Sequence, residues 1–173
     1  MFKLNFHISA DQFSTKNLNL EEEVYGFLEL QFGEQTYGFC PKEPIAAEGN
    51  DLLSTWFDQL TEVCVLLKAY PIILINDITS YNSWLQIQRQ RRGILVIDQI
   101  ISLKKSGSRS ILTEPISDAE QGQINNAEVI EDEFRQEIMA SAKEFLSALN
   151  DIDEKYMDTE WVKRISDNMS SFQ

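Results

Sequence analysis

The sequence predicts an α+β fold: a mainly antiparallel sheet with helices packed on one face, and two helices closing the chain. Three patterns carry that expectation. Apolar and polar residues alternate over short stretches that are broken by turn residues, as strands and hairpins require. One stretch between the hairpins has apolar residues at helical spacing, and two more follow near the end. At 173 residues the length suits one domain, 1–173. Within it we expect the sheet and a central helix over 1–103, a polar loop over 104–127, and C-terminal helices over 128–170.

The first strand is FKLNFHI, residues 2 to 8. Phe2, Leu4, Phe6 and Ile8 face one way; Lys3, Asn5 and His7 face the other. Residues 24–40 read as a hairpin, with Leu28, Leu30 and Phe32 alternating with Glu29 and Gln31 before a turn at Gly33-Glu34-Gln35. Tyr37 and Phe39 continue on the return strand. The central helix follows in DLLSTWFDQLTEVCVLLKAY. Leu52, Leu53, Trp56, Phe57, Leu60, Val63, Cys64 and Leu67 form its apolar stripe. Asn50 is placed to cap it, and Asp51 suits the positive end of its dipole. Pro71 ends it.

After the strand IILIND comes a second hairpin, SWLQIQRQRRGILVIDQI. Leu85 and Ile87 alternate with Trp84, Gln86 and Gln88. The return strand is apolar on both faces over Ile94–Ile97, which predicts a central or helix-covered position. Gly93 supplies the positive φ that Arg92 would adopt only at a cost. Residues 104–127 are polar and rich in serine and asparagine, hence the loop. Ile130, Phe134, Ile138, Phe145, Leu149 and Ile152 then form one helical stripe, and Trp161, Ile165 and Met169 a shorter one.

Composition narrows the function. The two cysteines, Cys40 and Cys64, read as small buried hydrophobes, not a bridge or metal pair. The opening residues lack a signal-peptide core, and the apolar runs fall short of the roughly 20 residues that span a bilayer. A cytoplasmic protein without membrane contact is expected. The net charge is −13, so nucleic acid is an unfavourable partner and a basic protein a favourable one.

No catalytic motif is present. The single histidine, His7, has no second histidine with which to hold a metal. GEQTYG lacks the lysine and hydroxyl of a phosphate-binding loop. A carboxylate-metal nuclease would need an acid on the strand after Asp77, where Gln86, Gln88 and Arg89 stand. No cofactor, metal or catalytic residue is therefore assigned, and the chain is read as a binding protein.

Charge is segregated along the chain. Residues 1–82 carry 4 Lys/Arg against 12 Asp/Glu, and residues 111–173 carry 5 against 15. Residues 83–110 carry 6 against one. Arg89, Arg91 and Arg92 crowd the hairpin turn. They are expected to pair with the protein's own glutamates, to protect a sheet edge, or to meet acids on a partner.

The opening strand FKLNFHIS, the hairpin YGFLELQFGEQTYGF, the helix LLSTWFDQL and the hairpin WLQIQRQRRGILVID together span about residues 1–102. In pattern and acidity this resembles the immunity proteins of bacterial polymorphic-toxin and contact-dependent inhibition systems. The resemblance implies a small cytoplasmic protein, not an enzyme, that neutralises one cognate toxin domain, often a basic nuclease, by direct binding. It carries over no binding residue. From charge alone, the candidate contacts are Glu21, Glu22 and Glu23, Glu131, Asp132 and Glu133, and the turn residues Arg91 and Arg92. An adaptor subunit using the 104–127 loop and the C-terminal helices is the alternative, and an enzyme of unrecognised type a further one.

Overall fold

The computed structural model describes residues 1–13, 23–43, 51–91, 93–103 and 110–172. Alternation builds a first antiparallel sheet. Strand β1 (Phe2–Ile8) pairs with β2 (Tyr25–Phe32) in a register running from Phe2 opposite Phe32 to Ile8 opposite Gly26. The two-residue turn Gly33-Glu34 leads into β3 (Gln35–Phe39), and the short β4 (Asp51–Leu52) pairs with the start of β2. Phe2, Leu4, Leu28, Leu30 and Phe32 are buried on the inner face.

A second antiparallel sheet holds β5 (Ile72–Asn76), β6 (Ser83–Arg91), β7 (Ile94–Ile101), β8 (Ile111–Leu112), β9 (Glu120–Gln121) and β10 (Ala127–Ile130). Its strand order is β10-β7-β6-β5-β8, with β9 also on β7. The doubly apolar β7 is central, as its sequence predicts, and Gly93 in the turn before it has φ +76°. A bulge separates Arg89 from Arg91, so the ladder slips by one residue just before the turn.

The fold is α+β, but the single sheet read from the sequence is two. They meet through side chains and not through a ladder. Gln35 on β3 exchanges two hydrogen bonds with the backbone of Asn125, donating at 3.1 Å and accepting at 2.9 Å.

Three helices share one core with the inner faces of both sheets: α1 (Leu53–Leu66), α2 (Glu131–Ile152) and α3 (Glu160–Ser170). Phe57 of α1 and Phe145 of α2 stack at 4.3 Å, and Phe6 meets both rings edge-on. Each large side chain buried here contributes about 1.5–3 kcal/mol. Trp161, Val162 and Ile165 of α3 are buried in the same cluster, so the last helix completes the core. No helix among the described residues is long and apolar enough to cross a membrane.

Several local expectations change. Leu52 and Asp51 lie in β4, before α1, and Asn50 falls outside the described residues. The first amides of α1 are instead taken by the Val24 carbonyl, from Leu53 at 2.8 Å and Ser54 at 3.4 Å. Helix α1 ends at Leu66, ahead of Pro71, with Leu67 as its cap. Ile130 and Ile152 are exposed, because α2 starts only after Ile130 and Ile152 is its last residue. Cys64 is buried, whereas Cys40 is only half-buried.

The 104–127 stretch is not simply loop; its residues 104–109 lie outside the described set. Beyond them, Leu112, Ile116 and Ala119 cover the outer face of the second sheet, packing with Leu74, Trp84 and Ile100, while Ile111 points the other way into the main core. Trp84, read as outward-facing, is 2% exposed for this reason. A polar segment supplies the cover because only a few well-spaced apolar side chains are needed to shield one small patch.

Candidate functional site

The acids and arginines singled out in the sequence go to different places. Glu131, the first residue of α2, lies between two cations. Arg89 donates to it through Nε at 2.8 Å and Nη2 at 2.7 Å; Arg135 does so through Nε at 3.0 Å and Nη2 at 2.6 Å. Arg89 also donates to the Leu67 carbonyl and Arg135 to the Cys64 carbonyl. These are carbonyls at the end of α1, where positive charge is favoured. The hydrogen bonds from Arg89 first, then those from Arg135, hold the Glu131 carboxyl below its usual range. The Phe172 ring lies 5.6 Å from the Arg135 guanidinium.

Arg89 of the hairpin thus turns inward to the protein's own acids. Arg91 follows with a looser, exposed pair to Glu128 at 3.5 Å. Arg92, Glu21 and Glu22 lie outside the described residues. Glu23 accepts from the Ser54 and Thr55 hydroxyls on the first turn of α1, the latter at 3.0 Å. Asp132 and Glu133 are exposed on the first turn of α2, where negative charge suits the helix dipole.

Glu133 begins the feature that the sequence reading missed. Helix α2 runs beside β1 in the same direction. Its Glu133 sits 3.9 Å from the Met1 amine, and its Glu137 accepts from the Leu4 N–H at 3.1 Å. Farther along, Glu144 borders Leu4, Asn5 and Phe6, and Asp151 borders Phe6, His7 and Ile8. The offsets 133, 137, 144 and 151 place all four acids on one helix face. Lys143 falls roughly a quarter turn away from it. Phe134, Ile138, Phe145 and Leu149 occupy the opposite, buried face.

Between this acidic face and β1 runs a groove in two lobes, of ≈ 890 Å³ and ≈ 480 Å³. Phe39, Cys40, Pro41, Lys42 and Glu43, with Glu29, wall the larger lobe, and Phe13 and Ile152 close the apolar end of the smaller.

The groove exposes backbone as well as charge. In an antiparallel pair, alternate residues direct both N–H and C=O toward the partner strand, and the others direct both away. Gly33 N–H donates to the Met1 carbonyl and Ser9 N–H to the Tyr25 carbonyl, so the odd residues of β1 face β2. The Leu4 N–H points to Glu137, so the even residues face the groove. Among the described residues no strand pairs with β1 on that side.

A second polar cluster lies at the seam of the two sheets. Tyr37 of β3 donates to Asp77 and lies 2.9 Å from the Ser83 hydroxyl, which also receives the Gln99 amide at 2.9 Å. Asp77 further accepts from the Thr79 N–H, the Thr79 hydroxyl and the Ser80 N–H. Burial first, then the Asp77 charge, push the Tyr37 hydroxyl well above its usual range. The same two causes in the same order raise Asp51 to about 6. With its oxygens occupied, Asp77 ties the 77–80 turn and joins the sheets.

Scans against protein-family models, curated proteins and solved structures each gave no match. The site therefore has to be interpreted from its own chemistry. The seam cluster is closed by its internal bonds, whereas the groove presents, among the described residues, backbone groups of β1 without a strand partner beneath the acidic face of α2. The signal for it was present in the sequence, as acids spaced at helical intervals between the apolar positions of α2. Contiguous runs of acids drew attention to Glu131, Asp132 and Glu133; of these Glu133 reaches the rim of the groove, and helix geometry turns the other two away from it.

Proposed function

We propose that this chain is a binding protein, without catalysis of its own, that neutralises a basic partner protein. In line with the resemblance to immunity proteins, we take that partner to be a cognate toxin domain. One observation carries the reading: the acids of α2 stand over an edge of β1 that no strand among the described residues covers, while Arg89 and Arg91 are engaged by the protein's own glutamates. A partner approaching the groove meets the acids of α2 together with Glu29 and Glu43, against Lys42 as the one lysine among the described residues lining the larger lobe. Such charge steers association more than it sets final affinity. The adaptor alternative loses its main surface, because the apolar faces of α2 and α3 are spent on the core.

The test has two parts. The chain is co-expressed with the product of the adjacent reading frame, and growth and complex formation are measured. Protection from a toxic product and a stable complex are expected. The association rate should fall steeply as salt rises over the range in which the Debye length shrinks from about 10 Å to about 3 Å. Absence of a complex, or a rate indifferent to salt, would sink the proposal.

A further inference from the structure

The open edge of β1 also indicates how a partner is held. We infer that the partner contributes an extended, lysine- or arginine-bearing segment that adds to β1 as an outer strand. Its backbone bonds to the outward N–H and C=O groups of Phe6 and Ile8, and its basic side chains lie against Glu144 and Asp151. This inference rests on the reading of the chain as a binder of basic proteins, and it specifies the mode.

The site is the strand edge; the acids decide what occupies it. An unpaired edge is a template for another strand. Here the Leu4 N–H is already met by Glu137 at 3.1 Å. The even positions beyond it, Phe6 and Ile8, line the part of the groove bordered by Glu144 and Asp151. A second copy of this chain would bring a second acidic helix face against the first, and like charges across an interface disfavour it. A nucleic-acid strand is repelled by the same face and carries no peptide groups to complete a ladder. An extended basic polypeptide satisfies both the backbone and the charge. Its residues alternate in direction, so one set of side chains lies over the apolar floor near Phe13 and Ile152 and the other reaches the acids.

The probe is a short peptide alternating lysine and threonine, titrated at low ionic strength into the full chain labelled for backbone-amide spectroscopy. Hydrogen exchange at Phe6 and Ile8 should slow on binding, with Lys3, Asn5 and His7 unchanged because their amides already face β2. N-methylating alternate peptide residues removes the donors that would face β1. This should weaken binding about tenfold or more, since the donors that meet the Phe6 and Ile8 carbonyls are lost. The double substitution Glu144→Lys, Asp151→Lys, at exposed positions, should weaken it by a similar factor. Equal affinity for the N-methylated peptide would overturn strand addition, as would a footprint away from β1 or a dimer of the chain formed through β1. If a basic protein still bound in a salt-sensitive manner in any of those cases, the general proposal would stand and only the mode would fall.

Discussion

The cation-carboxylate cluster at the start of α2 yields the most demanding prediction. Glu131→Gln keeps the shape of the side chain and removes its charge. Glu131 receives four bonds between 2.6 and 3.0 Å. Side-chain exposure is 11% for Glu131, 7% for Arg135 and 28% for Arg89. The substitution leaves two guanidinium groups facing each other in a poorly hydrated site. Removing one member of a buried pair typically costs 3–5 kcal/mol. Because Arg89 keeps some solvent and Gln keeps one acceptor, we expect the low end, about 3 kcal/mol. With an m-value of about 2 kcal/mol/M, the urea midpoint falls by about 1.5 M. Arg91→Ala is the control. Its pair with Glu128 is 3.5 Å long with side chains 67% and 55% exposed, and such pairs are worth about 0–1 kcal/mol. The sign with pH follows from the lowered Glu131 carboxyl. Its contribution is full above the unfolded value of about 4.3 and is lost as pH falls through the lower folded value. The parent should therefore lose stability on acidification in a way the Gln variant does not. A Gln variant within about 0.5 kcal/mol of the parent at neutral pH, below the scale set by a buried pair, would refute the account.

Two further outcomes can be checked by melting curves. Asp51, raised to about 6 chiefly by burial, binds its proton more tightly folded than unfolded. Its contribution is present at acid pH and fades as pH rises through about 6, so Asp51→Asn should gain more melting temperature at pH 7.5 than at pH 4.5. A uniform change across that range would count against the assignment. Gly38 has φ +78°, and an added Cβ would lie 2.3 Å from the Leu28 carbonyl oxygen. Gly38→Ala should cost more than the roughly 1–2 kcal/mol of a left-handed backbone alone, because β2 or β3 must shift. A loss no larger than that would show that the strands give way easily.

Most of the individual elements were legible because their burial is one-sided. Phe2-Leu4-Phe6 and Leu28-Leu30-Phe32 alternate, and Trp56, Phe57, Leu60, Val63 and Cys64 recur at helical spacing; each pattern states which side is buried. What escaped was contact between distant segments. Nothing in the local pattern around Gln35 announces a reciprocal bond to Asn125, so the division into two sheets was hidden. Trp84 alternates like a solvent-facing residue, and the later Leu112–Ala119 stretch makes its position buried. Glu131 and Glu133 look alike as letters in one run. Helix geometry sends the first into a cation cluster and the second to the rim of the groove. The groove needs β1 and α2 side by side, which periodicity within either one cannot supply.

Helix α2 keeps its structural and its solvent-facing residues on different sides of one cylinder. Phe134, Ile138, Phe145 and Leu149 fix it to the core. Glu144 and Asp151 are exposed beside the groove, and Glu133 and Glu137 reach the first residues of β1. A descendant of this chain can therefore rewrite its outward charge pattern, even invert it, while inheriting the same interior. Divergence at 144 and 151 with constancy at 138 and 145 is the signature that selection for a changing counterpart would leave.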